Sequence, residues 1–221
     1  MERVGKIGIV FFVPLLLLLL SVEINTFNEK FYLKSYIDNN VESVTGKSLS
    51  ELMDVTENLL DYLRDEADEG VLRPNFNERE ILHMIDVKVL FKYGYILRNI
   101  SFFISVLVIA YFILNKKIKP LGRILFFGPF IWWTAILLLF ILSLNDFNKY
   151  FTYFHLIFFD NDLWILNPKT DLLIQMLPQD FFMNIFKNIV LLFLIMLVII
   201  QIVGYILMKK GKDISGRINN F

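Results

Sequence analysis

The chain of 221 residues contains two histidines, and each sits where an imidazole could move a proton. His83 lies in the run Arg79-Glu80-Ile81-Leu82-His83-Met84-Ile85-Asp86. His155 lies in the aromatic run Phe151-Thr152-Tyr153-Phe154-His155-Leu156-Ile157-Phe158-Phe159. Imidazole is the side chain whose ordinary pKa is nearest neutrality, so the pair points to general acid–base chemistry. Arg79, Glu80, His83 and Asp86 are separated by three or four residues, which sets them on roughly one face of a helix. A carboxylate one turn from an imidazole can orient the ring and support its charged form. A solvated helix flank with weak ion pairs explains the same spacing equally well.

After His155 the acids Asp160, Asp162 and Asp171 bracket a turn containing Asn167-Pro168, so carboxylates can be directed back at the membrane surface. Burying an imidazole among so many aromatics costs about 1–3 kcal/mol unless it finds a hydrogen-bond partner. Desolvation favours the neutral, proton-accepting ring, whereas a nearby aspartate opposes that shift while fixing the tautomer. The plainer alternative is an interfacial belt of aromatics with surface acids. His83, Asp86, His155 and Asp160 or Asp162 also offer nitrogen and oxygen ligands of the kind zinc accepts, although no zinc-binding spacing joins them.

The elements that must position these residues are set by hydropathy. Four uncharged apolar stretches occur at Ile7–Val22, Ile100–Leu114, Ile124–Leu144 and Asn188–Met208. A helix of about 20 apolar residues crosses a bilayer, and the shorter stretches can be lengthened by flanking residues whose charges snorkel. The sequence therefore predicts an all-α polytopic membrane protein with four transmembrane helices, at about 7–22, 98–114, 124–144 and 188–208. Arg3 and Lys6 precede the first, Lys116, Lys117, Lys119 and Arg123 separate the second and third, and Lys209, Lys210, Lys212 and Arg217 follow the fourth. Basic residues collect on the cytoplasmic side, so both termini are expected there. Residues 23–95 and 145–187 would then lie outside, as a helical extracytoplasmic cap and an aromatic interfacial segment.

The 22 basic and 22 acidic residues cancel in the formal sum, but they are segregated. Residues 23–95 carry 15 acidic against 8 basic side chains, which argues against a nucleic-acid partner. The N-terminal stretch resembles a secretory signal, yet Leu20-Ser21-Val22-Glu23 offers no small-x-small cleavage site and is read as an uncleaved anchor. The absence of cysteine excludes disulfides, a thiol nucleophile and an acylated cysteine. No nucleophile-elbow, phosphate-loop, zinc-protease or redox motif is present.

Within 23–95, Ser48-Leu49-Ser50-Glu51 has capping-box spacing. Leu52, Leu59, Leu60 and Leu63 then predict an amphipathic helix towards Gly70. After a turn at Arg73-Pro74-Asn75-Phe76, Asn77 and Glu80 mark a second N-terminus, and the stripe Leu82, Ile85, Val89 predicts a helix running on through Tyr93 into the membrane near Arg98. In 145–187 the aromatics predict an interfacial or partly re-entrant helix followed by a loop at 161–170. Gly128-Pro129 predicts a kink in the third transmembrane helix.

With these residues in view, the chain resembles the bacterial lipoprotein intramolecular transacylases, the Lit family of small integral membrane enzymes. The most specific parts are Arg79-Glu80 with His83-Met84 and Asp86-Val87-Lys88, then Phe154-His155, Phe158-Phe159, Trp164, Asn167-Pro168, Asp171, Pro178 and Phe181-Phe182. The resemblance implies a reaction in which the sn-2 acyl chain of a diacylglyceryl-cysteine lipoprotein moves to the cysteine α-amino group, giving a lyso-form lipoprotein. It implies lipoprotein and membrane lipid as partners and no cofactor. His83 and His155 match the histidines to which the family's catalysis is attributed. Arg79, Glu80, Asp86, Lys88, Asp160, Asp162, Trp164 and Asp171 are the candidates for supporting the pair or binding substrate. The competing readings are a metal-dependent membrane hydrolase and a non-enzymatic assembly factor or lipoprotein-binding partner.

Overall fold

The structure, a computed structural model, describes the backbone of residues 2–218 and side chains through Lys210. The described residues are all-α, with no strand: α1 (Glu2–Thr26), α2 (Glu29–Asp38), α3 (Val41–Thr45), α4 (Leu49–Arg64), α5 (Glu78–Leu114), α6 (Ile118–Phe127), α7 (Phe130–Asn145), α8 (Phe147–Phe158), α9 (Leu172–Met176) and α10 (Gln179–Ile218). Four stretches are long and apolar enough to cross a membrane: Glu2–Thr26, Glu78–Leu114, Ile118–Asn145 and Gln179–Lys210. Each contains one of the four spans predicted from sequence. The chain divides into two compact units, one of residues 1–22, 95–141 and 189–221, the other of residues 23–94 and 142–188.

The first unit is a helical bundle whose breaks in backbone hydrogen bonding are repaired by side chains. Pro14 lies inside α1 and has no N–H, so the carbonyl four residues back, Val10, loses its helical donor. The indole Nε1 of Trp132 donates to that carbonyl at 2.9 Å. The predicted kink at Gly128-Pro129 is a true break between α6 and α7. It leaves Phe126 with a carbonyl that accepts from Gln201 Nε2 of α10 at 3.0 Å, while Gln201 Oε1 accepts from Trp133 Nε1 at 3.1 Å. An unpaired backbone group in hydrocarbon costs several kcal/mol, which is why a glutamine is tolerated in so apolar a helix. Close approach of α6 and α10 depends on paired glycines. A Cβ on Gly122 would sit 2.7 Å from the Gly204 carbonyl oxygen, and one on Gly204 would sit 2.6 Å from the Phe126 nitrogen.

The second unit has its own core of Tyr32, Tyr36, Leu52, Leu59, Leu60, Leu72, Met84, Met176 and Phe181 among others. The Ser48–Glu51 capping box forms as predicted: Ser48 Oγ accepts from the Glu51 amide at 3.3 Å and Glu51 Oε2 accepts from the Ser48 amide at 2.8 Å. α4 stops at Arg64, short of Gly70, because Asp65 takes a left-handed conformation (φ 67°) and the Glu66 amide turns back to the Asp61 carbonyl at 3.0 Å. That is a Schellman closure, with aspartate where glycine is commonest. The expected Asn77 start also forms, reciprocally: Asn77 Oδ1 accepts from the Glu80 amide at 3.1 Å and Glu80 Oε2 accepts from the Asn77 amide at 2.8 Å. From there α5 continues unbroken to Leu114.

Candidate functional site: a histidine pair among aromatic rings

α5 and α8 bring together two histidines 72 positions apart in sequence. The ring centroids of His83 and His155 are 6.2 Å apart, and both side chains are buried. Phe159 closes one side, with centroids 5.4 Å from His83 and 5.6 Å from His155. Phe151 meets His155 edge-on at 4.5 Å, and Trp164 stacks on it at 4.7 Å with planes 24° apart.

The two imidazoles differ in their hydrogen bonding. His155 Nδ1 lies 2.7 Å from the Phe151 carbonyl oxygen, one turn back in α8. A carbonyl can only accept, so Nδ1 carries the proton and the lone pair of the neutral ring is on Nε2. This is the partner that burial of His155 demands. The tautomer is fixed by the helix backbone and not, as the sequence suggests, by an aspartate. His83 Nδ1 is buried with no hydrogen-bond partner among the described residues. Burial, helped by the like charge of His155 and opposed by Asp86, pushes the His83 pKa down to about 4. Burial also lowers His155, with the bond to Phe151 opposing. Both residues precede or lie outside the apolar stretches read as spanning, and desolvation dominates for both. Near neutrality the pair is uncharged.

The remaining candidate residues fall into three groups. Asp86, Asp162, Arg79 and Trp164 hold the loop after α8 against α5. Asn161 Nδ2 donates to Asp86 Oδ2 at 2.8 Å, and the Asn161 carbonyl accepts from Trp164 Nε1 at 2.9 Å. Arg79 donates through Nε to the Ile165 carbonyl at 3.3 Å and through Nη2 to the Asp162 carbonyl, and pairs with the Asp162 carboxylate at 3.3 Å. Asp86 therefore reaches the site by a chain, Asp86–Asn161–Trp164–His155, and makes no hydrogen bond to His83.

Glu80 and Asp171 form the second group. Glu80 shares a face with His83 by spacing alone; its carboxylate is fully buried and accepts from the Leu173 amide of α9 at 2.6 Å as well as from Asn77. Burial raises its pKa, against the two backbone donors. Asp171 accepts from the Asn167 amide at 2.7 Å, Thr170 Oγ1 at 2.7 Å and Asn77 Nδ2 at 3.1 Å, and the Asn167 amide leads in holding its carboxyl below the usual range. These two carboxylates fasten the start of α5 to the start of α9.

Lys88 and Asp160 form the third group and stand apart from the rings. Lys88 Nζ pairs with Asp65 at 2.8 Å, donates to the Ala67 carbonyl at 3.1 Å and lies over the Tyr62 ring at 4.3 Å, so it secures the end of α4. Asp160 is exposed and makes no hydrogen bond or ion pair among the described residues. No group of three or more His, Asp and Glu is placed to hold a metal ion among the described residues.

Sequence reasoning missed Asn161, Phe159 and the Phe151 carbonyl as parts of the site, and used Asn77 only as a cap. A signal for Asn161 existed, since it sits between Asp160 and Asp162 at the loop's start.

The family model described as lipoprotein intramolecular transacylase Lit matches residues 7–182. The membrane-integral lipoprotein intramolecular transacylase Lit of Bacillus cereus superposes with a TM-score of 0.80 at 22% identity, over 96% of this chain and 98% of that one. Two histidine variants of the same Bacillus cereus protein superpose at 0.82, also at 22% identity; one match covers 97% of this chain and 95% of that chain, the other 96% of each. At this identity the structures show a shared fold. No curated protein sequence matches the chain.

Proposed function

Because this chain belongs to the lipoprotein intramolecular transacylase Lit family and is thus an acyltransferase, we propose that it moves the sn-2 acyl chain of a diacylglyceryl-cysteine lipoprotein to the cysteine α-amino group by acid–base catalysis at the histidine pair. The observation that carries this reading is the 6.2 Å approach of His83 and His155 with an Nε2 lone pair defined on His155.

The substrate α-ammonium has an ordinary pKa near 8 and must lose a proton to attack. His155 Nε2 takes that proton. The free amine adds to the sn-2 ester carbonyl, forming the C–N bond, and collapse of the tetrahedral intermediate breaks the C–O bond to glycerol. The departing glycerol oxygen receives that proton from the pair, and the second proton that the nitrogen sheds in becoming an amide N–H leaves through the pair, with His83 as its station, to water. One proton is released overall. His155 is supported while charged by the Phe151 carbonyl and the Trp164 face. The low pKa of His83 keeps both rings from being charged together.

Direct attack closes a ring of about eight atoms, so the protein's main contribution is to hold a flexible head group folded. Positioning of this kind can recover roughly 7–11 kcal/mol of barrier relative to separate reactants. The indole N–H of Trp164, the Arg79 guanidinium and the Lys88 ammonium are all engaged with the protein's own oxygens. Backbone amides are therefore the better candidates for the developing oxyanion. The exposed apolar side chains of α8, among them Leu156, Ile157 and Phe158, suit an element lying at the lipid interface. The basic residues flanking the spans support cytoplasmic termini, which sets the reaction at the outer leaflet, where a two-chain lipoprotein is retained at about 0.8 kcal/mol per buried methylene.

Mass spectrometry of one lipoprotein N-terminal peptide, from cells with and without this chain, tests the proposal. The expected product has an acyl group on nitrogen instead of the sn-2 position at unchanged mass. Loss of one fatty acid would make the protein an esterase. His83→Asn and His155→Asn are expected to fold, judged by an unaltered thermal transition, and to transfer nothing; full transfer by both would remove the histidine mechanism.

A further inference from the structure

The bundle unit carries a cleft that the acyl-transfer chemistry does not use. A cavity of about 380 Å³ is lined by Lys6 of α1 and by Lys119, Pro120, Arg123 and Ile124 of α6. That volume lies within the range of ordinary small-ligand sites. Lys119 and Arg123 are four residues apart and share a helix face, where like charges repel. Neither forms an ion pair or hydrogen bond among the described residues. Lys6, across the cavity on another helix, pairs with Glu2 at 3.0 Å, and Glu2 is also bound by Lys117 at 2.7 Å. Glu2 is the only acid in residues 1–22 and 95–141, against Arg3, Lys6, Lys116, Lys117, Lys119 and Arg123 in the first turns of α1 and around the start of α6. One carboxylate shared by two lysines leaves the cavity walls cationic.

A cationic cavity with an apolar floor suits an anion that carries hydrocarbon. Pro120 and Ile124 supply the floor, and exposed Ile7 and Phe127, next to Lys6 on α1 and one turn beyond Arg123 on α6, offer apolar surface for chains leaving the cavity. We propose that this cleft binds the phosphate head group of an anionic phospholipid, with Lys6, Lys119 and Arg123 as its ligands. The guanidinium is suited to two phosphate oxygens at once, and the ammonium groups act as point charges. The same chemistry would attract free phosphate, but only the lipid uses the apolar floor.

The test is native mass spectrometry of the full chain in detergent, titrated with phosphatidylglycerol, with phosphatidylcholine as the zwitterionic control. Lys119→Gln/Arg123→Gln removes two cavity cations, and Arg3→Gln/Lys116→Gln removes two that do not line it. At about 1 kcal/mol per cation, the cavity variant should bind phosphatidylglycerol roughly 10- to 30-fold more weakly. The other variant should match the parent, and phosphatidylcholine should be retained poorly by all. Lys119→Arg/Arg123→Lys keeps both charges and should retain binding, which guards against a folding defect. Equal loss in both Gln variants would reduce the effect to bulk surface charge and overturn the site, as would no loss in either. Displacement of the lipid by an equal concentration of inorganic phosphate would overturn the lipid as the ligand.

Discussion

Replacing His83 by leucine should abolish transfer and stabilise the protein, by an amount that grows as the pH falls. In the folded chain the imidazole is buried, its Nδ1 has no partner, and its pKa is pushed down to about 4. Leaving a polar atom buried and unpaired costs about 1–3 kcal/mol, which a leucine of similar reach does not incur. At pH 7.5 both the folded and unfolded imidazole are neutral, and the variant should gain only this amount. Below the unfolded pKa of 6.5 the unfolded chain takes up a proton that the folded chain refuses, so wild-type stability drops. The drop is about 2 kcal/mol at pH 5 and levels off at about 3 kcal/mol once the pH passes below 4 and the folded ring is protonated too. The titratable neighbours His155 and Asp86 are retained in both proteins. Thermal unfolding in one detergent at pH 7.5, 6, 5 and 4 reads the difference. For a chain of this size about 1 kcal/mol moves Tm by roughly 2–4 °C, so the gap of about 1–3 kcal/mol at pH 7.5 should widen by about 2 kcal/mol, roughly 4–8 °C, by pH 5. A gap that stays constant with pH, or a variant less stable than wild type at pH 5, would refute the neutral, unpartnered state of His83.

Two further expectations concern turnover. In the proposed reaction the productive complex holds one proton, on the substrate ammonium, with both imidazoles neutral, so kcat should plateau between a basic limb near the amine's pKa and an acid limb set by His155; since burial depresses that imidazole, the acid half-point should fall below pH 6.5, and a half-point at or above 6.5 in a kcat profile would contradict the assignment. Trp164→Ala removes the ring stacked on His155 and the partner of the Asn161 carbonyl, and should lower kcat about tenfold with a smaller change in KM, while Trp164→Phe restores most of it; equal activity of all three proteins would show that stacking does not orient the base.

The four spans, the Ser48 and Asn77 caps and the break at Gly128-Pro129 were legible because each rests on a local rule: hydropathy over a helix length, side-chain reach over three residues, a missing N–H. The histidine pair was legible only as two candidates. Nothing in the spacing of α5 and α8 says that their rings meet, because that depends on Asn77, Glu80 and Asp171 joining the start of α5 to a loop more than eighty residues away. Spacing also misread what the acids do. It offers Asp86 as support for His83 and the aspartates after α8 as partners for His155, yet each of these carboxylates except Asp160 is occupied by a nearer donor.

That occupation is itself an argument about mechanism. Asp86 is held by Asn161, Asp162 by Arg79, Asp171 by Asn77, Thr170 and the Asn167 amide, and Glu80 by two backbone amides. A carboxylate bonded to either imidazole would raise its pKa and hold it as an imidazolium, which cannot accept a proton from an ammonium group. With the acids' hydrogen bonds made elsewhere, the rings touch a backbone carbonyl, each other and aromatic faces, Asp86 acts on His83 through its charge alone, and desolvation outweighs it. The acids build the loop that carries Trp164, and in the proposed reaction this leaves the histidines free to start as bases.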